Sequence, residues 1–275
     1  MLEIFTYLFI QKALISGIAI SIACSMLGLF LVVKRYALFG DAISHIALSG
    51  VSIGIFLNVY PLWTSIITST IASLGIIRLR KSTKLHGDTI ISILLLSGVA
   101  FAVMLISISN GFTSDLFSYL FGNILLISNE DFITALIASS IIIASILILK
   151  DRLYYIAINL EQAKLSGIKV DLIEYIFMIL ASIIAIVAIR LVGILLVSSI
   201  IVLPNAASLM LGKGFKFTML ASIIISVTSV VIGIISSYYL DIAPSSMIVI
   251  IGLVILLGIV IKNSYISKKG FILNR

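Results

Sequence analysis

The chain has 275 residues, 61% hydrophobic and 11% charged, with a formal net charge of +7. Soluble domains average about 25% charged residues, so a mean hydropathy of +1.32 with long apolar runs excludes that class and points to membrane-spanning helices. The bases lie in short loops rather than on one extended face, which excludes a nucleic-acid binder, and the lone Cys24 excludes an internal disulfide or a multi-cysteine metal site.

Taken in order, the chain reads as one transmembrane domain over residues 1–275, an all-α bundle of about 8–9 spans. Its start does not read as a signal peptide, because Glu3 precedes any base and the apolar run after Lys12 is longer than a signal core. The first span is expected over residues 13–33, with small residues such as Ser16, Gly17 and Gly28 allowing close helix approach, and Lys34-Arg35 as its stop. A second follows to about Tyr60, and Pro61 and Trp63 mark the boundary with a third that reaches about Ile77. The densest basic segment, residues 78–88, contains His86 and reads as a solvated loop. A fourth span is expected over residues 89–108. Residues 110–131, with Asp115, Phe117, Tyr119 and Phe121 but no lysine or arginine, read as a re-entrant or interfacial stretch.

A fifth span is expected over residues 132–149. Residues 150–171 then form the longest polar interval, with a short helix between Asn159 as N-cap and Gly167 as its stop. Such a helix is too short to stand alone and needs a surface to dock on. Two spans flank Arg190, over residues 172–189 and 191–211, and Pro204 is expected to kink the second. The last two, over residues 218–240 and 246–261, are separated by Asp241-Ile242-Ala243-Pro244. Numbering loops alternately across nine spans places 16 of the 18 Lys/Arg on one side, all but Lys12 and Arg190. The positive-inside rule makes that side cytoplasmic, with the N-terminus outside and the C-terminus inside.

The most informative polar residues are Asp41 and His45 in Gly40-Asp41-Ala42-Ile43-Ser44-His45. Four helical residues turn the chain through about 400°, so the two side chains share a face one turn apart and can reach one metal ion or one proton. Ionisable groups inside a membrane are functional candidates by default. The plainer alternative is an N-cap aspartate and a histidine bonded to a carbonyl.

This motif, the preceding Lys34-Arg35 and the following Gly50-Val51-Ser52-Ile53-Gly54 resemble the zinc/manganese-type permease family of ATP-binding-cassette (ABC) importers. Tyr119-Leu120-Phe121-Gly122-Asn123-Ile124-Leu125 is similar to the family's Leu-Phe-Gly segment, and Glu161-Gln162-Ala163-Lys164-Leu165-Ser166-Gly167 to its cytoplasmic Ala-x-x-x-Gly segment. Gly193-Ile194-Leu195-Leu196 through Leu203-Pro204-Asn205-Ala206-Ala207 resembles its late helix. Ser49 stands where the family often has proline, and Asn205 where a small apolar residue is usual.

The resemblance implies an ABC importer permease fold in the plasma membrane. The implied function is passage of a divalent transition metal (zinc, manganese or iron) from an extracellular binding receptor to the cytoplasm. It also implies a second permease copy and a separate cytoplasmic ATP-binding subunit. The chain itself is then no enzyme and holds no permanent cofactor, in keeping with the absence of a Gly-x-x-x-x-Gly-Lys-[Ser/Thr] motif. Under this reading Asp41 and His45 are metal ligands, completed as His₂Asp₂ across a two-fold axis. Glu161, Ala163 and Gly167 couple to the ATPase, and Pro204 is a kink in the path. A proton-coupled secondary metal transporter, with Asp41 and His45 as a proton relay, is the alternative.

Overall fold

In the computed structural model, residues 6–83, 85–108, 119–122 and 128–273 are described; they are helical throughout their regular elements, with no strand. Helix α1 (Leu8–Val33) stops where Arg35 turns left-handed at φ 62. There the Tyr36 N–H donates to the Leu31 carbonyl at 2.8 Å and the Arg35 N–H to the Val32 carbonyl at 3.0 Å, the two closing bonds of a Schellman stop. Helix α2 (Phe39–Phe56) closes the same way on Asn58, φ 53. Helix α3 (Pro61–Ser82) opens on a proline that needs no N–H partner, and α4 (Gly87–Ile108) follows.

Helix α5 (Asn129–Ile158) is capped by Ser128, whose hydroxyl oxygen accepts the Asp131 N–H at 3.1 Å. It runs beyond the span expected from hydropathy, through Lys150 to Ile158, because Leu153 and Ile156 continue its buried stripe at helical spacing. The short α6 (Leu160–Leu165) comes next, then α7 (Val170–Val192). A 3₁₀ turn (Ile194–Leu196) leads to α8 (Val197–Leu209), and α9 (Phe215–Leu240) and α10 (Pro244–Leu273) complete the chain. The expected re-entrant stretch, with Asp115 and Phe117, lies largely outside the described residues.

Eight of these helices are long and apolar enough to cross a membrane. The expected seventh span differs from its sequence reading. Arg190 falls within α7 rather than in a loop, and the chain breaks at Gly193 (φ 79, ψ 159) rather than at Pro204. Pro204 sits inside α8, which continues through it. At 13 residues α8 is about 20 Å long, short of a hydrocarbon core of about 30 Å. It nevertheless returns the chain to the end from which α7 started. The Met210 carbonyl accepts from Asn263 Nδ2 at 2.5 Å, and the Phe215 ring lies 5.3 Å from Phe30 and 4.5 Å from Tyr154, in the last turns of α1 and α5. At the opposite end, Gly193 abuts the Leu120–Gly122 backbone, and the Ser245 hydroxyl at the start of α10 donates to the Phe121 carbonyl at 3.0 Å. The alternation of sides therefore survives the break.

The core is built on small residues. Ser25 Oγ and Ser222 Oγ are 2.7 Å apart, Ser222 donates to Asn205 Oδ1 at 2.6 Å, and Asn205 Nδ2 donates to the Ile201 carbonyl at 2.6 Å. This fully buried chain ties α1, α8 and α9, with each polar atom it contains bonded inside the apolar interior.

Candidate metal path and coupling segment

Helix α2 is the most enclosed element near the candidate ligands. Three close approaches wrap it, each through a glycine. A side chain at Gly50 would meet Ser65 Cα of α3 at 2.5 Å, one at Gly98 of α4 would meet Ile46 N at 2.9 Å, and one at Gly40 would meet Ser198 Cα of α8 at 3.2 Å. Ser49 adds a hydrogen bond from its hydroxyl to the Gly98 carbonyl at 2.5 Å, a bond that proline at this position could not make. From Phe39 to Ser52, every residue of α2 is buried except Asp41 and His45. The pair predicted from spacing thus forms the half-buried strip of this otherwise buried stretch.

The local bonding of the two residues differs. Asp41 lies in the first turn of α2, where the helix dipole favours a carboxylate, and beside Ser198 just past the Gly193 break. It is also close enough to His45 to interact electrostatically. His45 Nδ1 is enclosed and has no protein hydrogen-bond partner. The carbonyl bond of the plainer reading is therefore not made at this nitrogen. Among the described residues no third His, Cys, Asp or Glu joins them in a metal-sized cluster. One chain thus offers two ligands, fewer than the four of a closed zinc site.

The expected short helix is present as α6. Asn159 Oδ1 accepts the N–H groups of Glu161 and Gln162, both at 3.1 Å. Gly167 takes φ 77, and the Ile168 N–H closes onto the Ala163 carbonyl at 3.2 Å. Of its three candidate coupling residues, Glu161 and Gly167 are exposed, but Ala163 is fully buried and faces the bundle. Ala163 therefore lies on the side by which the helix rests on the bundle. The residue offered outward is Leu165, 88% exposed, which hydropathy could not separate from an ordinary core leucine.

Sequence reasoning also missed Glu174, Ser198 and Gly193. Glu174 is a 7% exposed carboxylate one turn into α7, bonded to Lys34 Nζ at 2.9 Å, with Arg80 at 3.8 Å. Its one sequence signal is an acid inside the first turns of an apolar span. Ser198 and Gly193 carry no signal of their own, since their roles arise from partners far along the chain.

The ABC 3 transport family matches residues 6–263. A probable metal transport system membrane protein of Treponema pallidum is 34% identical over 254 residues, covering 92% of this chain and 95% of that protein. The high-affinity zinc uptake system membrane protein ZnuB of Haemophilus influenzae is 30% identical, covering 86% and 91%. The manganese import system permease protein ScaB of Streptococcus gordonii is 30% identical, covering 95% of each. Among solved structures, PsaBC from Streptococcus pneumoniae in complex with Fab superposes with a TM-score of 0.81 at 27% identity, over 92% of this chain and 91% of that one. With eight membrane-length helices in this fold and the family match running nearly end to end, the chain belongs to the ABC 3 transport family and is a multi-pass membrane permease.

Proposed function

We propose that this chain is the permease subunit of an ABC importer for a divalent transition metal, zinc or manganese foremost, with Asp41 and His45 as the transient ligands of the transported ion. The observation that carries the reading is the half-buried Asp41–His45 strip on the otherwise buried stretch of α2 from Phe39 to Ser52. Imidazole and carboxylate together suit Zn²⁺, Mn²⁺ and Fe²⁺. Relatives named for zinc uptake and for manganese import support the substrate class. A second copy placed with its α2 beside this one would bring the ligands to His₂Asp₂. An incomplete set in each chain is compatible with release, which transport requires.

In this reading the Lys34 end of the bundle is cytoplasmic, as the charge asymmetry predicts. The whole chain acts as a single transmembrane domain, α6 docks on a separate ATP-binding subunit, and an extracellular receptor delivers the ion. Hydrolysis belongs to the ATPase partner and not to this chain. Membership of an ABC family favours this energy source over the proton-coupled alternative. Pro204, inside the short α8, would loosen the helix that carries Ser198 to Asp41.

The test is uptake of Zn²⁺ and Mn²⁺ by cells expressing Asp41→Asn or His45→Gln at matched membrane abundance. Each amide keeps most of the shape but supplies a poor ligand, so each should lower uptake by about ten-fold or more. Uptake at the wild-type level in both would defeat the assignment.

A further inference from the structure

The Lys34 end of the bundle contains an ion network that the metal path does not use. Glu174 on α7 is its centre. Its carboxylate accepts from Lys34 Nζ at 2.9 Å, and Arg80 Nη1 lies 3.8 Å away. Lys34 is also 5.9 Å from the Phe177 ring, and Arg80 donates a hydrogen bond to the Tyr36 hydroxyl. Lys34, Arg35 and Tyr36 open the five-residue connection between α1 and α2, with Arg35 left-handed. Both flanks of Arg35 are thus fastened to the Glu174–Arg80 pair, and the connection leads directly into the helix that carries Asp41 and His45.

The same pair also borders the coupling segment. A cavity of about 280 Å³ is lined by Lys34, Arg80, Glu174 and Leu160, among others. A second, of about 200 Å³, is lined by Arg80, Lys81, Asp171, Glu174 and Leu160. Leu160 is the first residue of α6. Beside the buried Ala163, the start of the short helix therefore borders two open clefts that share Arg80 and Glu174 as lining residues. Close-packed interiors hold side chains in one arrangement, whereas open space leaves a side chain room to change partners.

We propose that Glu174 is the positioning residue through which movement of α6 reaches the Asp41–His45 helix, by redistributing its carboxylate between Lys34 and Arg80. Movement of α6 and the start of α7 against these clefts would change these two distances. Because Lys34 is continuous with the α1–α2 turn, it would move the entry of α2. The network joins the α1–α2 turn, the end of α3 and the start of α7, and its centre is buried enough that the bonds are weakly screened. This inference rests on the ABC importer reading above, since it needs an ATPase that moves α6.

The experiment reconstitutes the full complex of permease, ATPase and receptor in liposomes and measures metal taken up per ATP hydrolysed. Glu174→Gln keeps shape but removes the charge; Glu174→Asp keeps the charge. The expected result is a fall of at least about five-fold in the uptake-to-hydrolysis ratio for Gln, the lower edge of typical coupling factors, with recovery toward wild type for Asp. A merely structural role would lower assembly and scale uptake and hydrolysis together. An unchanged ratio in Glu174→Gln, or an equal fall in Gln and Asp, overturns the proposal. If Glu174→Gln does not assemble, Arg80→Gln, which leaves the Lys34–Glu174 bond in place, is read on the same ratio and decides it. A wild-type complex that hydrolyses ATP yet moves no divalent metal would instead defeat the functional reading itself.

Discussion

Asn205 and Ser49 are departures from the family pattern in the sequence, and each is bonded to a neighbouring helix in the structure. Asn205 sits fully buried between the Ile201 carbonyl and the Ser222 hydroxyl, where a small apolar residue would leave both with one partner fewer. Interhelical polar bonds in membranes average about 0.6 kcal/mol, with a maximum of about 1.7. Asn205→Ala should therefore lower stability by about 1 kcal/mol, read as a drop in thermal midpoint of the detergent-solubilised protein. Combining it with Ser222→Ala should cost less than the sum of the two, because they share one bond. Full additivity would mean that the chain from Ser25 to Ile201 is not a working network. The Asp41–His45 pair was legible from spacing and apolar context, since helical geometry alone places residues four apart on one face. The orphaned His45 nitrogen and the approach of Ser198 were not, because both depend on what the rest of the chain brings alongside.

The short α6 shows how far an element can be read locally. Both of its ends were legible, because the Asn159 cap and the Gly167 stop act within one turn of chain. Its orientation was not: Ala163 inward and Leu165 outward is decided by what α6 rests on. Gly167 has open space where a side chain would go, so its requirement is conformational. Gly167→Val at φ 77 should cost about 1–2 kcal/mol of local stability through backbone strain alone. Faster proteolysis or hydrogen exchange at residues 160–168 would report it, together with reduced co-purification of the ATPase. Leu165→Ser separates docking from folding. It removes an exposed apolar side chain, so stability should hold within about 0.5 kcal/mol while ATPase association falls. Normal association in both variants would remove α6 from the coupling role.

At the scale of the whole molecule, the short α8 is the decisive feature. A hydropathy count that drops it leaves eight spans and moves residues 211–214 to the side of Asp241. The contacts of Met210 and Phe215 instead bring that loop to the Lys34 end. Single cysteines at Thr83, Lys213 and Asp241 test this. Cys24 is the only native cysteine and is buried, so the background is quiet. An impermeant thiol reagent added to intact cells should label position 241 and leave 83 and 213 unlabelled. Labelling of 213 together with 241 would show that α8 does not return the chain.

The sequence by itself determined that this is an all-helical membrane protein, which loops share a side, where the Asp41–His45 pair lies and where the short α6 begins and ends. Those properties are local: they follow from transfer of apolar side chains into lipid, from helical period and from capping within a few residues. Only the tertiary structure decided that the late path breaks at Gly193 rather than Pro204. A side chain there would meet Gly122 N at 2.5 Å, a contact made by a segment distant in sequence. Likewise it made Asp41 and His45 the half-buried strip of a wrapped stretch of α2, and gathered Lys34, Arg80 and Glu174 from three separate segments into one network. Each is a relation between surfaces far apart along the chain, and no periodicity within one segment can encode the partner on another.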